Sequence, residues 1–178
     1  KETADVAIEA SLTGHMVLST LHTNGAVETV VRLLDLGCDS FNFADAMQGV
    51  IAKRLCKRIC ANCKEPYHPH EQEYDKLANV YGKQAWDSLG MGYREDFQLY
   101  RGRGCDACNQ SGFKGRVALH ELLCGSDELR NLIQSRAKTT EMQRLAVREG
   151  MVTLVQDGIL KILAGLTTYE QVRAVAMR

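Results

Sequence analysis

Apolar positions first recur at helical spacing over residues 3–12, so we expect a helix there, with Thr3 at its start and Gly14 after its end. A short, mostly apolar run follows from Met16 to Leu21 and predicts a strand buried on both faces. Strands of this kind belong to parallel sheets, in which ligands bind beyond the carboxyl ends of the strands. The polar residues 22–24 that follow the run are therefore expected to lie at the ligand-binding edge of the sheet.

The next two apolar patterns predict helices. Residues 27–34 place apolar side chains at i, i+3, i+4 and i+7, with Asn24 as a candidate cap and Gly37 as the stop. A second pattern begins at Ser40 and runs through residues 43–55, which predicts another helix. The predicted strand and the helix after it form a strand, loop, helix unit of the kind found in α/β proteins.

The character of the chain changes at Cys60, where it becomes more polar. Short helices are predicted at residues 74–81 and 84–89, and strands at 97–100 and 117–123, the last of which returns to an earlier strand or to the sheet. Beyond Gly125 the chain is predicted to be helical, with its first helix starting at Ser126. Capping boxes mark three further starts, at Thr140, Thr153 and Thr168, while Gly150 and Gly165 end two of the helices.

Composition narrows the class of protein. The 22 Lys and Arg residues balance the 22 Asp and Glu residues, which argues against attraction of the whole surface to nucleic acid or anionic lipid. No apolar run approaches the roughly 18 residues of a membrane-spanning helix, and no secretory signal opens the chain. The chain starts in a helical pattern without an initiating methionine, so we expect it to be a piece of a longer protein.

Four of the 7 cysteines form two C-x-x-C pairs, Cys60 with Cys63 and Cys105 with Cys108. Each pair supplies two thiolates from one tight turn, and two pairs complete a tetrahedral set around zinc. We therefore predict a structural four-thiolate zinc site. This spacing favours metal binding over a disulfide framework, and cysteines without disulfides indicate a cytosolic protein. Four thiolates leave no open position for water, so a catalytic zinc is not expected.

Other interpretations of the cysteines remain open. A redox dithiol would need only one of the two pairs, and Cys56, His68 or His70 could in principle substitute for one ligand. Cys38 and Cys124 lie in apolar settings, where we expect buried small hydrophobic side chains.

A basic run beside the first cysteine pair raises the alternative of a zinc module that binds nucleic acid. Its members are Lys53, Arg54, Lys57, Arg58 and Lys64. The aromatic residues expected of a single-strand binding platform do not interleave with it. A solvated or subunit-contacting helix face explains the charges at least as well, and a purely structural interaction domain is a third alternative.

Several stretches together resemble the secretion ATPase superfamily, the hexameric traffic ATPases of type II secretion and type IV pilus assembly. They are Glu2–Ala4, Leu12–His15, Leu18–Asn24, Arg32–Gly37, Ala52–Leu55, Gly112–Arg116, His120–Leu123, Asp157–Gly158 and Gly165–Thr168. The resemblance covers essentially the whole chain, and the tetracysteine module points to the secretion or pilus-extension branch. Lys53 replaces the glutamine usual in the family, and His120 stands where an aromatic residue is common.

The resemblance implies an α/β fold, the carboxyl-terminal half of a RecA-like ATPase domain with an inserted tetracysteine zinc module and a helical C-terminal subdomain. Residues 1–59 would belong to the ATPase core, 60–112 to the zinc module, and 113–178 to the returning strand and helical subdomain. No Gly-x-x-x-x-Gly-Lys-Ser/Thr phosphate loop occurs in this sequence. ATP hydrolysis by this chain alone is therefore not expected.

The same resemblance implies roles for four residues. His22 would act catalytically by sensing or polarising the γ-phosphate of ATP, while His15, Arg32 and Arg54 would lie near the nucleotide. A surface ion pair remains the alternative for each arginine. For the parent protein the family implies ATP and Mg²⁺, a homo-hexamer, and inner-membrane platform proteins as partners, without nucleic acid. It also implies a cytoplasmic location, peripheral to the inner membrane.

Overall fold

A computed structural model describes residues 1–177 and is a mixed fold of helices and short antiparallel sheets. The first half contains α1 Glu2–Leu12, α2 Ala26–Asp35, α3 Ser40–Ala46, β1 Gly49–Ile59, β2 Lys64–Tyr67, α4 Glu71–Tyr81 and α5 Lys83–Ser88. The second half contains β3 Leu99–Gly102, β4 Phe113–Cys124, α6 Asp127–Gln134, α7 Thr139–Arg148, α8 Leu154–Leu163 and α9 Tyr169–Ala176. Among the described residues, no helix is long and apolar enough to cross a membrane.

The chain packs into two compact units, and each is built from two separate stretches of sequence. The first unit combines residues 1–52 with residues 121–153, and the second combines residues 53–120 with the stretch from Leu154 onward. Strands β1 and β4 pair with each other and contribute residues to both units. The division at residues 60 and 113 that the family resemblance implies stays a prediction.

In the first unit, α2 has the buried face that its periodicity predicts. Val27, Val30 and Leu34 are buried, and Gly37 follows the helix with a φ of +83°. The N-cap is Gly25 rather than the predicted Asn24. A carboxylate from β4 satisfies the first N–H of the helix instead of a local side chain, as described below.

The prediction of a buried strand at residues 16–21 is wrong. Residues 15–23 have no regular secondary structure, and Met16 and Leu18 are 87% and 89% exposed. A strand buried on both faces needs neighbouring strands and covering layers. In the part of the chain that the structure describes, β1 pairs with β4 and β2 with β3, and no strand pairs with this segment.

The helix predicted over residues 43–55 ends at Ala46, and β1 begins at Gly49. The apolar pattern was ambiguous because Met47 and Ile51, two residues of the predicted helix face, are four positions apart. A spacing of four places side chains on one face of a helix and also on one face of a strand. The β-branched pair Val50 and Ile51 favours the extended conformation.

The second unit includes residues 53–59 of β1 and residues 113–120 of β4. The N–H of Cys60 donates to the carbonyl of Gly112 over 2.9 Å, and at the opposite end Gly125 donates to Gln48, so the two strands run antiparallel. The turn between α8 and α9 joins the same end of β1. There Ile59 donates its N–H to Leu166 over 2.9 Å, and the buried hydroxyl of Thr167 donates to the carbonyl of Lys57 over 2.8 Å.

The two short helices and the strand predicted between residues 74 and 100 are present, and β2 is an additional strand that was not predicted. The antiparallel pair β2–β3 aligns Lys64 with Gly102 and Tyr67 with Leu99, while α4 and α5 match the two predicted short helices. Tyr74 and Trp86 pack edge to face with ring centroids 5.4 Å apart, and the indole N–H donates to the Tyr74 hydroxyl over 2.9 Å. This long connection therefore has an aromatic core of its own.

The helices after Gly125 begin close to their predicted starts. Ser126 caps α6 by accepting the N–H of Leu129 over 3.1 Å, and positive φ values at Gly150 and Gly165 follow α7 and α8. The capping box predicted at Thr140 is wrong because α7 starts earlier, with Lys138 as its N-cap. Thr168 is the N-cap of α9 but makes no side-chain cap bond.

Close packing between α8 and α9 leads to a first testable prediction. A Cβ added at Gly158 would lie 2.4 Å from Cγ1 of the fully buried Val172. We expect Gly158→Ala to destabilise the protein by about 1–2 kcal/mol. Overpacking a core costs up to about 3 kcal/mol, whereas replacing glycine by alanine within a helix gains about 1 kcal/mol. Urea unfolding measures the difference. Gly92→Ala is the control, since its new Cβ would lie 3.6 Å from Nε of Arg94, and an equal loss of stability there would contradict the prediction.

Candidate metal centre and histidine segment

Local backbone structure brings the two cysteine pairs into one cluster. Cys60 follows β1 directly, and a short 3-10 helix at Asp106–Cys108 turns the chain between Cys105 and Cys108. Gly102 and Gly112 approach each other so closely that a Cβ on Gly102 would lie 2.0 Å from the Gly112 carbonyl oxygen. Only glycines fit this crossing, which explains the glycine-rich sequence around the second pair.

The four sulfur atoms have the spacing of a tetrahedral metal site. All lie within 4.8 Å of one another. Sγ of Cys60 is 3.9 Å from that of Cys105, Cys63 is 3.8 Å from Cys108, and Cys105 is 3.7 Å from Cys108. Four sulfurs about 2.3 Å from a central ion form a tetrahedron with edges of about 3.8 Å. The cluster therefore fits a metal ion bound by four thiolates, the chemistry of a structural zinc or iron site.

Backbone donors point at these sulfurs and change their acidity. Desolvation raises the pKa of the Cys63 thiol to about 11, against the opposing effect of the Gly104 N–H, which lies 3.3 Å from its sulfur. Desolvation also acts to raise the pKa of Cys108, but the N–H groups of Cys105 and Gly112 lower it to about 6. The N–H donors thus stabilise the thiolate form that a metal requires.

None of the three alternative ligands joins the cluster, and His70 is exposed at the start of α4. Sγ of Cys56 lies 3.5 Å from the Thr167 hydroxyl, and the ring of His68 hydrogen-bonds to the carbonyl of Phe97. Among the described residues, only the four cysteines form a cluster of potential metal ligands. Cys38 is buried as predicted, whereas Cys124 is exposed at the end of β4, so that prediction is wrong.

The four residues predicted to lie near the nucleotide are not members of this cluster. His15 and His22 are exposed in the segment from His15 to Thr23, which we call the histidine segment, and Arg32 is exposed on α2. The ring of His15 is 3.2 Å from the carbonyl of Ala10. Arg54 is half-buried on β1 in the second unit, so the four residues do not form one cluster within a unit.

The basic run also has a different setting from the one expected. Lys53, Lys57 and Arg58 are exposed on a strand, not on the solvated helix face that we predicted. Side chains alternate between the two faces of a strand, so these cations are divided between both faces of β1.

Sequence reasoning missed the role of Glu121, a buried carboxylate on β4. It is 7% exposed, and its Oε1 accepts the N–H of Ala26 over 2.8 Å at the start of α2. A signal was present in the sequence, because Leu119, Glu121 and Leu123 alternate at strand period. That alternation places the carboxylate on the buried face between two leucines.

Comparison with known proteins gives consistent matches over nearly the whole chain. The family model described as Type II/IV secretion system protein matches residues 1–174. The type IV pilus assembly ATPase PilB of Thermus thermophilus is 41% identical over 173 residues, which are 97% of this chain and 18% of that protein. The type II secretion system protein E of Pseudomonas aeruginosa is 41% identical over 175 residues, which are 98% of this chain and 32% of that protein.

A solved structure shares the fold. The crystal structure of the pilus retraction motor PilT with bound ADP matches with a TM-score of 0.57 and 23% sequence identity. The match covers 98% of this chain and 36% of that chain. The chain therefore spans less than a third of the length of the two curated relatives and about a third of the PilT chain.

Proposed function

This chain belongs to the Type II/IV secretion system protein family, and we propose that it is part of an ATPase motor that drives type II protein secretion or type IV pilus assembly. The observation that carries the proposal is the family match over residues 1–174. In that motor the chain would be the carboxyl-terminal half of a RecA-like ATPase domain, with a zinc module and a helical C-terminal subdomain. The similarity of fold to a pilus motor supports this assignment.

The ion we propose for the four-cysteine cluster is zinc. Cys60, Cys63, Cys105 and Cys108 would hold it, and their sulfur spacings support tetrahedral coordination. Such an ion supplies structural cross-linking, because all four of its positions are taken by protein. It would fasten the two ends of the segment 60–112 together.

For the histidine segment we propose a role in nucleotide chemistry. His22 would sense or polarise the γ-phosphate of ATP, and His15, Arg32 and Arg54 would contact the nucleotide or its charge. The exposure of His15, His22 and Arg32 supports this, since a side chain that contacts a ligand must be accessible. Mg²⁺ would be bound with ATP by parts of the parent protein outside this sequence.

The parent protein would work as a homo-hexamer in the cytoplasm, docked on inner-membrane platform proteins of its machine. These expectations follow from the family. Type II secretion and type IV pilus assembly both occur among the relatives at 41% identity, so the proposal covers both systems.

A direct test compares the parent protein with the 178-residue chain alone. We expect magnesium-dependent ATP turnover by the full-length parent and none by the isolated chain. The reason is that phosphate affinity in such motors comes mostly from a phosphate loop, which this sequence lacks. Phosphate release measured at equal molar concentrations gives the comparison.

The control for the isolated chain is its own His22→Ala variant, which separates residual contamination from genuine activity. Turnover by the isolated chain above that of the variant would contradict the half-domain assignment. Absence of turnover in the folded, magnesium-supplied parent would contradict the ATPase proposal itself.

A further inference from the structure

Glu121 is the one carboxylate among the buried polar residues of the described chain. Burying a carboxylate is costly unless it is hydrogen-bonded, and its Oε1 accepts the Ala26 N–H over 2.8 Å. Ala26 is the first residue of α2, where unpaired N–H groups and the helix dipole favour a negative charge. A side chain 95 positions along the sequence therefore does the work of an N-cap.

The turn before α2 is fixed by further contacts. The hydroxyls of Thr23 and Thr29 lie 2.6 Å apart, and Thr29 Oγ1 donates to the carbonyl of Gly25 over 3.0 Å. A Cβ on Gly25 would lie 3.3 Å from Glu121 Oε1, so the carboxylate also packs closely on the turn. His22 comes immediately before this anchored turn, while the rest of the histidine segment is exposed and irregular.

We propose that Glu121 is a positioning residue for His22. It holds the turn at residues 23–25 and the first turn of α2 against β4, and so it fixes the point from which His22 projects. A histidine that acts on a phosphate must be held at a defined place, because small displacements of a reacting group cost large factors in rate. This inference rests on the proposed nucleotide role of His22.

The contacts also explain why a carboxylate stands at this position. Glutamine offers a carbonyl oxygen of the same reach, so it can accept the Ala26 N–H, although without the charge. Alanine leaves that N–H without this acceptor and opens space beside Gly25. The pair Glu121→Gln and Glu121→Ala therefore separates the hydrogen bond from the charge.

The first measurement is structural and does not depend on ATP. Backbone ¹⁵N NMR of the 178-residue chain reports amide exchange at Ala26 and the heteronuclear NOE at His22. We expect Glu121→Ala to speed Ala26 exchange at least about fivefold and to lower the His22 NOE, as the loss of a cap does. Glu121→Gln should retain most of both signals.

A matched control is Glu149→Ala, which removes a carboxylate in the same unit that accepts the Ser126 hydroxyl over 2.8 Å beside the start of α6. That variant should leave Ala26 and His22 unchanged. Unchanged exchange and NOE in Glu121→Ala, or equal changes in Glu149→Ala, would overturn the inference.

The second measurement is turnover of the full-length parent, expressed per folded molecule. We expect kcat to fall about tenfold or more in Glu121→Ala with a smaller change in KM, and Glu121→Gln to restore most of it. If Glu121 acts through His22, adding Glu121→Ala to His22→Ala should cause no further loss. Independent, multiplying losses would show that Glu121 does not act through His22.

The two arms distinguish the inference from the proposed function. If the parent hydrolyses no ATP, the proposed function fails, and the NMR arm alone decides whether Glu121 positions His22. If the parent is active and the His22 NOE falls in Glu121→Ala while kcat is unchanged, the inference fails and the proposed function stands.

Discussion

Serine in place of Cys108 is expected to abolish stoichiometric zinc binding and to release the two cysteine turns from each other. Apparent binding energies of structural zinc are about 10–16 kcal/mol, which far exceeds what the few local contacts of these turns supply. We choose Cys108 because the N–H groups of Cys105 and Gly112 point at its sulfur and lower the pKa of its thiol, which favours the thiolate form. Serine cannot reproduce that ligand, since its hydroxyl stays protonated at neutral pH.

Two measurements check the zinc prediction. Elemental analysis of protein purified without chelator should give one zinc per chain for the parent sequence and substoichiometric zinc for Cys108→Ser. Hydrogen exchange should rise mainly in β2, β3 and the cysteine turns, whereas α4 should keep protection because its aromatic core and its packing on α8 do not involve the metal. Cys124→Ser is the matched control, since this cysteine is exposed and lies outside the cluster. Full zinc content in Cys108→Ser, or equal loss in the control, would contradict the four-thiolate site.

Replacing His22 with alanine in the full-length parent is expected to cut ATP turnover by about a hundredfold or more, within the range attributed to a single positioned catalytic group. The same change should leave zinc content and melting temperature nearly unaltered. The structure supports the second expectation, because His22 is exposed in the histidine segment. A group that acts mainly in the transition state lowers kcat more than it raises KM.

Melting curves and steady-state kinetics of the parent and the variant show whether His22 is catalytic or structural. His70→Ala is a suitable control, since this histidine is also exposed but precedes α4 in the second unit and makes no side-chain cap bond. It should retain turnover. A melting temperature several degrees lower in His22→Ala, with turnover per folded molecule unchanged, would make His22 a structural residue.

The helices were the predictable part of the fold. Helix α2 appears where its 3.6-residue periodicity places it, and α7 and α8 end just before the glycines that were predicted to stop them, because such signals lie within a short window of sequence. The stretch that forms β1 was predicted to be helical because the spacing of four between Met47 and Ile51 fits one face of a helix as well as one face of a strand. Its pairing with β4, some 60 residues away, is a long-range fact that no local window contains.

The segment Met16–Leu21 shows a different kind of limit. Its composition is that of a buried strand, and in residues 1–177 it is exposed and without a strand partner. Sheet formation depends on neighbours as much as on the segment itself. The composition of the segment predicted a strand, but without a neighbouring strand to pair with, the segment is irregular in the described chain.

The candidate site divides in the same way. The four cysteines were found because ligand spacing within each pair is local, and loop closure between pairs costs little extra with length. Glu121 was missed because its contact with the start of α2 joins residues 95 positions apart in the chain. The alternation of Leu119, Glu121 and Leu123 predicts that the carboxylate is buried, but it does not say which donor it meets.

The discontinuous build of both units has a consequence for synthesis on the ribosome. Ile59 on β1 finds its partner only when Leu166 has been made, and at about 5–20 residues per second that interval lasts roughly 5–20 s. Cys60 meets its second cysteine pair much earlier, since Cys105 follows 45 residues later. If the four cysteines bind zinc as we propose, a nascent chain could bind the ion before the α8–α9 turn has been synthesised. The cysteine cluster would then serve as an early clamp, holding the free end of β1 in place until the last two helices leave the exit tunnel.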